Sequence, residues 1–335
     1  MCLIMTVILT GYLFVCISYM HRGYTRLMGF YGLEDNTADV VFIGTSVTFS
    51  SFMPMEAWNE YGMAAYDYCT NVQFENSLRH SVKEVMKTQT PQLLMIDIAP
   101  FLRNHRAGRY PEYIDYNIDS MKYSLNRLDL VYEINQEIEG DFFSFLNYYF
   151  DINRYHTNTA SVKQLNNSCN DVNRGYGYLE KNGGAALDKL SLVQDDGSEV
   201  PLEGYDETYF RELLKELSEL DCDVVFYCGP VLFVMVEEYG HKNYIKRVVE
   251  ESGYVFWDFS TELDQVGLDY ENDFWSHDHF DSLGAEKVTK YLAEKILASY
   301  DIPDRRNDER YEGWHEDYLQ WITLKAEYNG QDHSL

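Results

Sequence analysis

Cysteine is scarce in this sequence: six in 335 residues are too few for a disulfide scaffold. Cys2 and Cys16 lie in an apolar N-terminal run. Cys222 and Cys228 stand in what reads as one strand, roughly 20 Å apart and beyond disulfide reach. Positive charge is also short. Lys and Arg number 27 against 55 Asp and Glu, a formal net charge of −28, and such a field repels phosphate backbones unless a local basic groove overrides it. A general nucleic-acid partner is thereby disfavoured. A phosphate loop is missing too, because Gly175 to Gly184 lacks both a preceding strand and a Lys-Ser/Thr ending. What the chain does have is apolar content: 45% hydrophobic residues over this length suffice for a sizeable core in one large or two small domains.

From Met1 to Met20 (MCLIMTVILTGYLFVCISYM) there is no Asp, Glu, Lys, Arg or His. About 20 residues rising ~1.5 Å each match the ~30 Å hydrocarbon layer, which predicts a transmembrane helix. A cleaved signal peptide is the competing reading. No small-x-small site follows the apolar core, and Val15 before Cys16 spoils a lipoprotein-type site, so an uncleaved anchor is favoured. His21, Arg22 and Arg26 follow the span, and that count alone places the body in the cytoplasm.

Beyond a Gly-rich approach, Asp39 to Gly44 (DVVFIG) has the β-branched pattern of a buried parallel strand. Strands are predicted again at Ala64 to Tyr68, Gln92 to Ile98, Asp223 to Cys228 and Tyr254 to Asp258. Between them fall helical patterns at Glu75 to Lys87, at a segment capped by Asp206, around His241 to Glu251, and at Ala285 to Ser299. This alternation predicts an α/β fold with a parallel sheet covered on both faces, functional groups collecting at the strands' carboxyl ends. The expected organisation is an anchor over 1–20, a linker over 21–38, an α/β domain over 39–298, and a polar tail over 299–335 with one helix near Tyr311 to Lys325. A Tyr- and Asn-rich insertion at about 101–204 breaks the rhythm and reads as a cap over the site.

Two segments carry chemistry. Gly44-Thr45-Ser46-Val47 follows the first strand directly, so the Ser46 hydroxyl stands at a strand's carboxyl end with the following amides available to an oxyanion. The plainer reading is a strand-to-helix turn in which Ser46 caps the next helix. Ser276-His277-Asp278-His279-Phe280-Asp281 precedes the last amphipathic helix, and a histidine there can reach a serine on the first strand and act as its base. Alone, it reads equally as a solvated or capping histidine.

Together the segments resemble the SGNH or GDSL-like hydrolase superfamily, and more closely its membrane-anchored bacterial branch, similar to DltD-type and alginate O-acetylation proteins. The likeness is carried by VVFIGTS at Val40 to Ser46, YDYCTNVQ at Tyr66 to Gln73, LLMIDIAPF at Leu93 to Phe101 and DHFDSLGAEKVTKYL at Asp278 to Leu292, and spans about Asp39 to Ala298. It implies a flavodoxin-like α/β/α sandwich, Ser46 as nucleophile, His279 as base and an extracytoplasmic body, against the charge count. It also implies an acyl-ester or carbohydrate substrate and a membrane protein that supplies acyl groups. Two departures stand out. Ser276 occupies the place three before the histidine where the family has Asp, leaving Asp278, Asp273 or a backbone carbonyl to hold the ring. The family's Gly-x-Asn-Asp block is absent, so the oxyanion donors are sought in the amides of Ser46 and Val47 and in Asn71, with Thr70 or Gln73 as substitutes.

The function read from the sequence is therefore a membrane-anchored serine esterase or O-acyltransferase, with no cofactor. The competing reading is a binding protein that keeps the fold without the full triad, and a third is an intracellular soluble α/β enzyme. His277 and His279 form too small a set for a metal. Asp97 reads as a buried, hydrogen-bonded carboxylate or a site residue. Arg103, Arg106 and Arg109 read as solvated loop residues or a local basic patch, and His80, His105, His156 and His241 as surface or packing residues.

Overall fold

The structure is a computed structural model and describes residues 4–11, 25–119, 121–151, 154, 171–177, 193–233 and 235–330. Residues 4–11 are helical and exposed. The remainder of the apolar run Met1 to Met20 lies outside the described residues, as do His156, Gly183 and Gly184. Among the described residues no helix is long and apolar enough to cross a membrane.

In chain order, α1 (Thr25–Phe30) leads into β1 (Val40–Gly44), α2 (Ser46–Phe49), α3 (Pro54–Tyr61), β2 (Ala65–Cys69), α4 (Glu75–Val85) and β3 (Leu93–Asp97). After β3 come α5 (Ala99–Leu102), α6 (Ile114–Ile118), α7 (Leu125–Glu137), α8 (Phe142–Tyr149) and α9 (Tyr205–Leu217). The chain then runs through β4 (Asp223–Cys228), α10 (Val236–Glu251), β5 (Val255–Asp258), α11 (Leu263–Val266), α12 (Ser282–Ser299) and α13 (Glu312–Gly330). All strand pairs are parallel, in the order β2-β1-β3-β4-β5. β1 and β3 are buried along their whole length, as an apolar strand covered on both faces must be. α3 packs against α12, and α4 against α9. The strand order reverses between β1 and β3, which opens a crevice at their carboxyl ends.

β2 (AYDYC) is an edge strand that is nonetheless fully buried. Its outer side is covered by residues 171–177: the Asp67 amide donates to Arg174 O at 2.9 Å. Gly175, at φ +90°, is required there, since a Cβ would lie 2.1 Å from Asp67 O.

Three expectations change. Asp206 does not cap α9; Gly204 occupies that place, and Asp206 instead accepts from Asn104 Nδ2 at 2.6 Å and pairs with Arg106 Nε at 2.9 Å. The segment expected as a polar tail is anchored by aromatic burial, with Tyr311, Trp314 and Trp321 inside and Trp58 of α3 stacked on Tyr311 and tilted on Trp314. The inserted helices α6 to α8 do not simply cap the site. They form a second small core around Phe74, Ile118, Leu130, Val131 and Ile134, with α7 lying against α4.

Candidate functional site

The site begins with the turn that leaves β1. Gly44 has an ordinary backbone conformation, but an added Cβ would lie 2.4 Å from Asp97 Cβ, so only glycine lets the turn pack on the end of β3. Asp97 then clamps it. Its Oδ2 accepts from the Thr45 amide at 3.2 Å, the Thr45 hydroxyl at 3.0 Å and the Thr48 hydroxyl at 3.1 Å, while Oδ1 accepts from the Ala99 amide at 2.9 Å. Burial pushes the Asp97 carboxyl above the ordinary Asp range, and these four donors oppose that rise. Asp97 is a structural clamp beneath the serine.

Thr45, not Ser46, caps α2: its Oγ1 accepts from the Val47 amide at 3.3 Å. This leaves the Ser46 hydroxyl free to point away from the helix, and Ser46 Oγ lies 2.8 Å from His279 Nε2. The same bond corrects the oxyanion set, since the Val47 amide is already engaged by Thr45. The Ser46 amide sits at the first helical position, where no intrahelical acceptor exists.

His279 is delivered by a pinned loop. Phe274 and Phe280 form an antiparallel bridge with rings 4.7 Å apart, and the Trp275 and Ser276 amides donate to His279 O at 3.0 and 3.2 Å. Leu232, in the loop after β4, donates to His277 O at 2.9 Å. Asp281 closes the loop as the cap of α12, accepting from the Leu283 and Gly284 amides.

The far side of the ring faces Asp278. Asp278 Oδ1 is 2.7 Å from His279 Nδ1, and the Ser276 hydroxyl donates to that same oxygen at 2.6 Å while lying 3.0 Å from Nδ1. Arg103 Nη1 holds Oδ2 at 2.5 Å, and Arg103 Nε donates to the buried Glu238 at 3.1 Å. Burial pushes the Asp278 carboxyl up, but the His279 ring, the Arg103 charge and the Ser276 hydroxyl together hold it well below the usual carboxylate range. An ionised Asp278 fixes the proton on Nδ1 and leaves Nε2 as the acceptor facing Ser46.

Asp273 is not part of this arrangement; Lys287 Nζ at 2.6 Å and the Asp269 amide at 2.5 Å hold its Oδ2. Thr70 joins β2 to the site, its amide donating to Gly44 O at 3.1 Å, but its hydroxyl is taken by Tyr116 O at 3.0 Å. Gln73 Nε2 is turned to Ser81 Oγ at 2.8 Å. Asn71 follows Thr70 in the turn beside the Ser46 loop. His80 is buried against Asn126 and Glu133, and burial pushes His105 down to about 3. Arg106 pairs with Asp206, and Arg109 lies over the Tyr110 ring. Among the described residues no group of three or more His, Cys, Asp or Glu is arranged to hold a metal ion.

Arg103 and Glu238 carry no signal in the sequence that ties them to the site, because their contacts bridge 175 and 135 positions respectively, from Arg103 to Asp278 and from Arg103 to Glu238. Compared with protein-family models, with curated proteins and with solved structures, the chain gives no match.

Proposed function

We propose that the protein is a membrane-anchored serine esterase or O-acyltransferase of the SGNH type, acting on acyl esters of cell-envelope carbohydrate with its body outside the cytoplasm. The observation that carries the reading is the 2.8 Å approach of Ser46 Oγ to His279 Nε2, with an acid on the ring's other nitrogen. The strand order is also the flavodoxin-like one. The competing reading of a binding protein drew on Ser276 in the acid's place; Asp278 beside the ring removes that ground. For carbohydrate, beyond the family likeness, the support is Trp275. The residue is 46% exposed and its ring is set edge-on to His279 at 6.3 Å, a flat apolar face beside the imidazole on which a sugar ring can lie.

In this mechanism Ser46 Oγ bonds to the acyl carbon as His279 Nε2 takes its proton, and the carbonyl π pair moves onto oxygen. The Ser46 amide and Asn71 receive that oxyanion. Asp278 stabilises the imidazolium. As the carbon–oxygen bond to the sugar breaks, the imidazolium returns its proton to the departing oxygen. Water or a second sugar hydroxyl then gives a proton to Nε2 and attacks the acyl-Ser46 ester, and Ser46 Oγ leaves and is reprotonated. A membrane protein that supplies acyl groups fits the transfer branch of the reaction.

Labelling with a fluorophosphonate tests the reading: the native chain is expected to label and Ser46→Ala to lose the label. Native protein that does not label at Ser46 overturns it. Reporter fusions to the C-terminus test the side of the membrane.

A further inference from the structure

Helix α8 (FFSFLNYY) carries aromatic side chains beyond the face it packs inward; Ser144, Asn147 and the two tyrosine hydroxyls are its polar groups. The inner face, Phe145, Tyr148 and Tyr149, packs on the second core. Outward, Phe142 is 67% and Phe143 76% exposed, with Phe150 next to the helix also open, and Leu125 and Tyr132 of the adjoining α7 are exposed as well. A cluster of exposed large apolar side chains of this kind marks a surface suited to an apolar environment.

The position of this patch indicates what that environment is. The charge-free run Met1 to Met20 precedes α1 in the chain, and Tyr31 immediately after α1 accepts from the Lys122 amide and lies under the Lys122 ammonium at 4.3 Å from its ring centroid. Tyr123 in turn contacts Tyr149 at 5.7 Å, and its hydroxyl accepts from the Asp151 amide at the end of α8. Tyr149, on the packed side of the aromatic helix, is therefore linked through Tyr123 and Lys122 to the residue that follows α1, and an anchor ahead of α1 holds this part of the body near the bilayer surface.

We propose that Phe142, Phe143 and Phe150 form an interfacial surface that rests in the lipid headgroup region and fixes how the body lies on the membrane. The proposal rests on the anchored reading above. Phenylalanines on one side of a short helix bury partway into the headgroup and acyl boundary, and a fixed tilt would present the Ser46 crevice at a constant height above it. The net charge of −28 and the acidic Asp129, Glu139 and Asp141 near the patch oppose an anionic surface, so the surface is suited to zwitterionic lipid.

The test uses the full chain in phosphatidylcholine nanodiscs, with an environment-sensitive fluorescent amino acid encoded at one position at a time and brominated lipid as quencher. Positions 143 and 132 report the patch, position 9 the anchor, and position 319, exposed on α13, a surface site outside the patch. Quenching at 9, 132 and 143 but not at 319 is expected, with the emission at 143 shifted to the blue. Replacing part of the phosphatidylcholine with phosphatidylserine should reduce quenching at 143 and leave it unchanged at 9. Quenching at 9 with none at 143 overturns the surface while leaving the anchor standing. A blue shift at 143 without quenching means that protein covers the patch, which also overturns it. No quenching at 9 overturns the anchored reading and this surface with it, whereas Ser46 labelling reports separately on the chemistry.

Discussion

Arg103 binds Asp278 through Oδ2, the carboxylate oxygen turned away from His279, so the Asp278 carboxylate is held from both sides at once. The guanidinium is in turn held by Glu238, only 2% exposed at the start of α10. Arg103→Met is expected to lower kcat by about tenfold to a hundredfold with KM changed less than about twofold, because Arg103 acts through Asp278 and not on substrate. Stability should fall by about 3 kcal/mol, since the buried Glu238 loses its ionic partner and keeps only the Met235 amide. Adding Glu238→Gln, which keeps the capping geometry of α10, should restore stability without restoring kcat. Recovery of both together would make Arg103 purely structural.

Asp278→Asn is expected to reduce kcat by about 10²- to 10⁴-fold, because the amide favours the wrong imidazole tautomer and cannot stabilise imidazolium. The folded protein holds the Asp278 carboxyl below its unfolded value, so its contribution to stability is present above the unfolded value of about 3.9 and is lost as pH falls further. The gap between native and variant denaturant midpoints should consequently be constant from pH 7 to about pH 5 and begin to narrow below about pH 4. A difference that grows on acidification would contradict the assigned ionisation.

The Gly44 contact with Asp97 predicts a steric effect with a chemical consequence. Gly44→Ala places a methyl group 2.4 Å from Asp97 Cβ, which cannot be relieved by one rotamer, so either β3 or the serine turn shifts. A loss of about 1–3 kcal/mol is expected, together with slower fluorophosphonate labelling of Ser46. Thr48→Val, which removes one donor to Asp97 and the 2.6 Å contact with Tyr227 while leaving the turn's shape, should slow labelling less.

Burial in α13 predicts that the C-terminal segment is integral to the domain. Trp314 packs on Trp58 and beneath the Arg174 guanidinium, 4.4 Å from the ring centroid. Trp314→Ala should cost about 3–5 kcal/mol by thermal or denaturant unfolding. A loss under about 1 kcal/mol would mean that the helix is only loosely attached.

The sequence revealed the sheet because buried parallel strands require continuous apolar runs, as in VVFIG and LLMID. The Ser46 and His279 segments were legible because each stands at a junction of strand, loop and helix where side chains reach the crevice. The capping role of Thr45 was not, since Thr45 and Ser46 are equally good caps and only tertiary contact with Asp97 selects between them. The acid was hidden for a similar reason: whether Asp278 or Asp273 faces the ring depends on how the Phe274–Phe280 bridge folds the loop back. The burial of α13 was not legible because two tryptophans, Trp314 and Trp321, spaced through a charged helix make a weak periodic signal.

Trp275 connects the site to its substrate. Its backbone is fixed by the bond to His279 O, so the exposed indole stays beside the catalytic ring with little freedom to lose when a ligand stacks on it. An O-acylated sugar should contact that face, whereas a nitrophenyl ester of a short acid needs only Ser46, His279 and the oxyanion donors. Trp275→Ala is therefore expected to raise KM for an acetylated oligosaccharide by about tenfold, a loss typical of one aromatic stacking contact, while kcat/KM for nitrophenyl acetate changes less than about twofold. Trp275→Phe should recover part of the affinity. Equal losses on both substrates would show that the indole supports His279 mechanically, and the carbohydrate reading would lose the one side chain of the site that favours it.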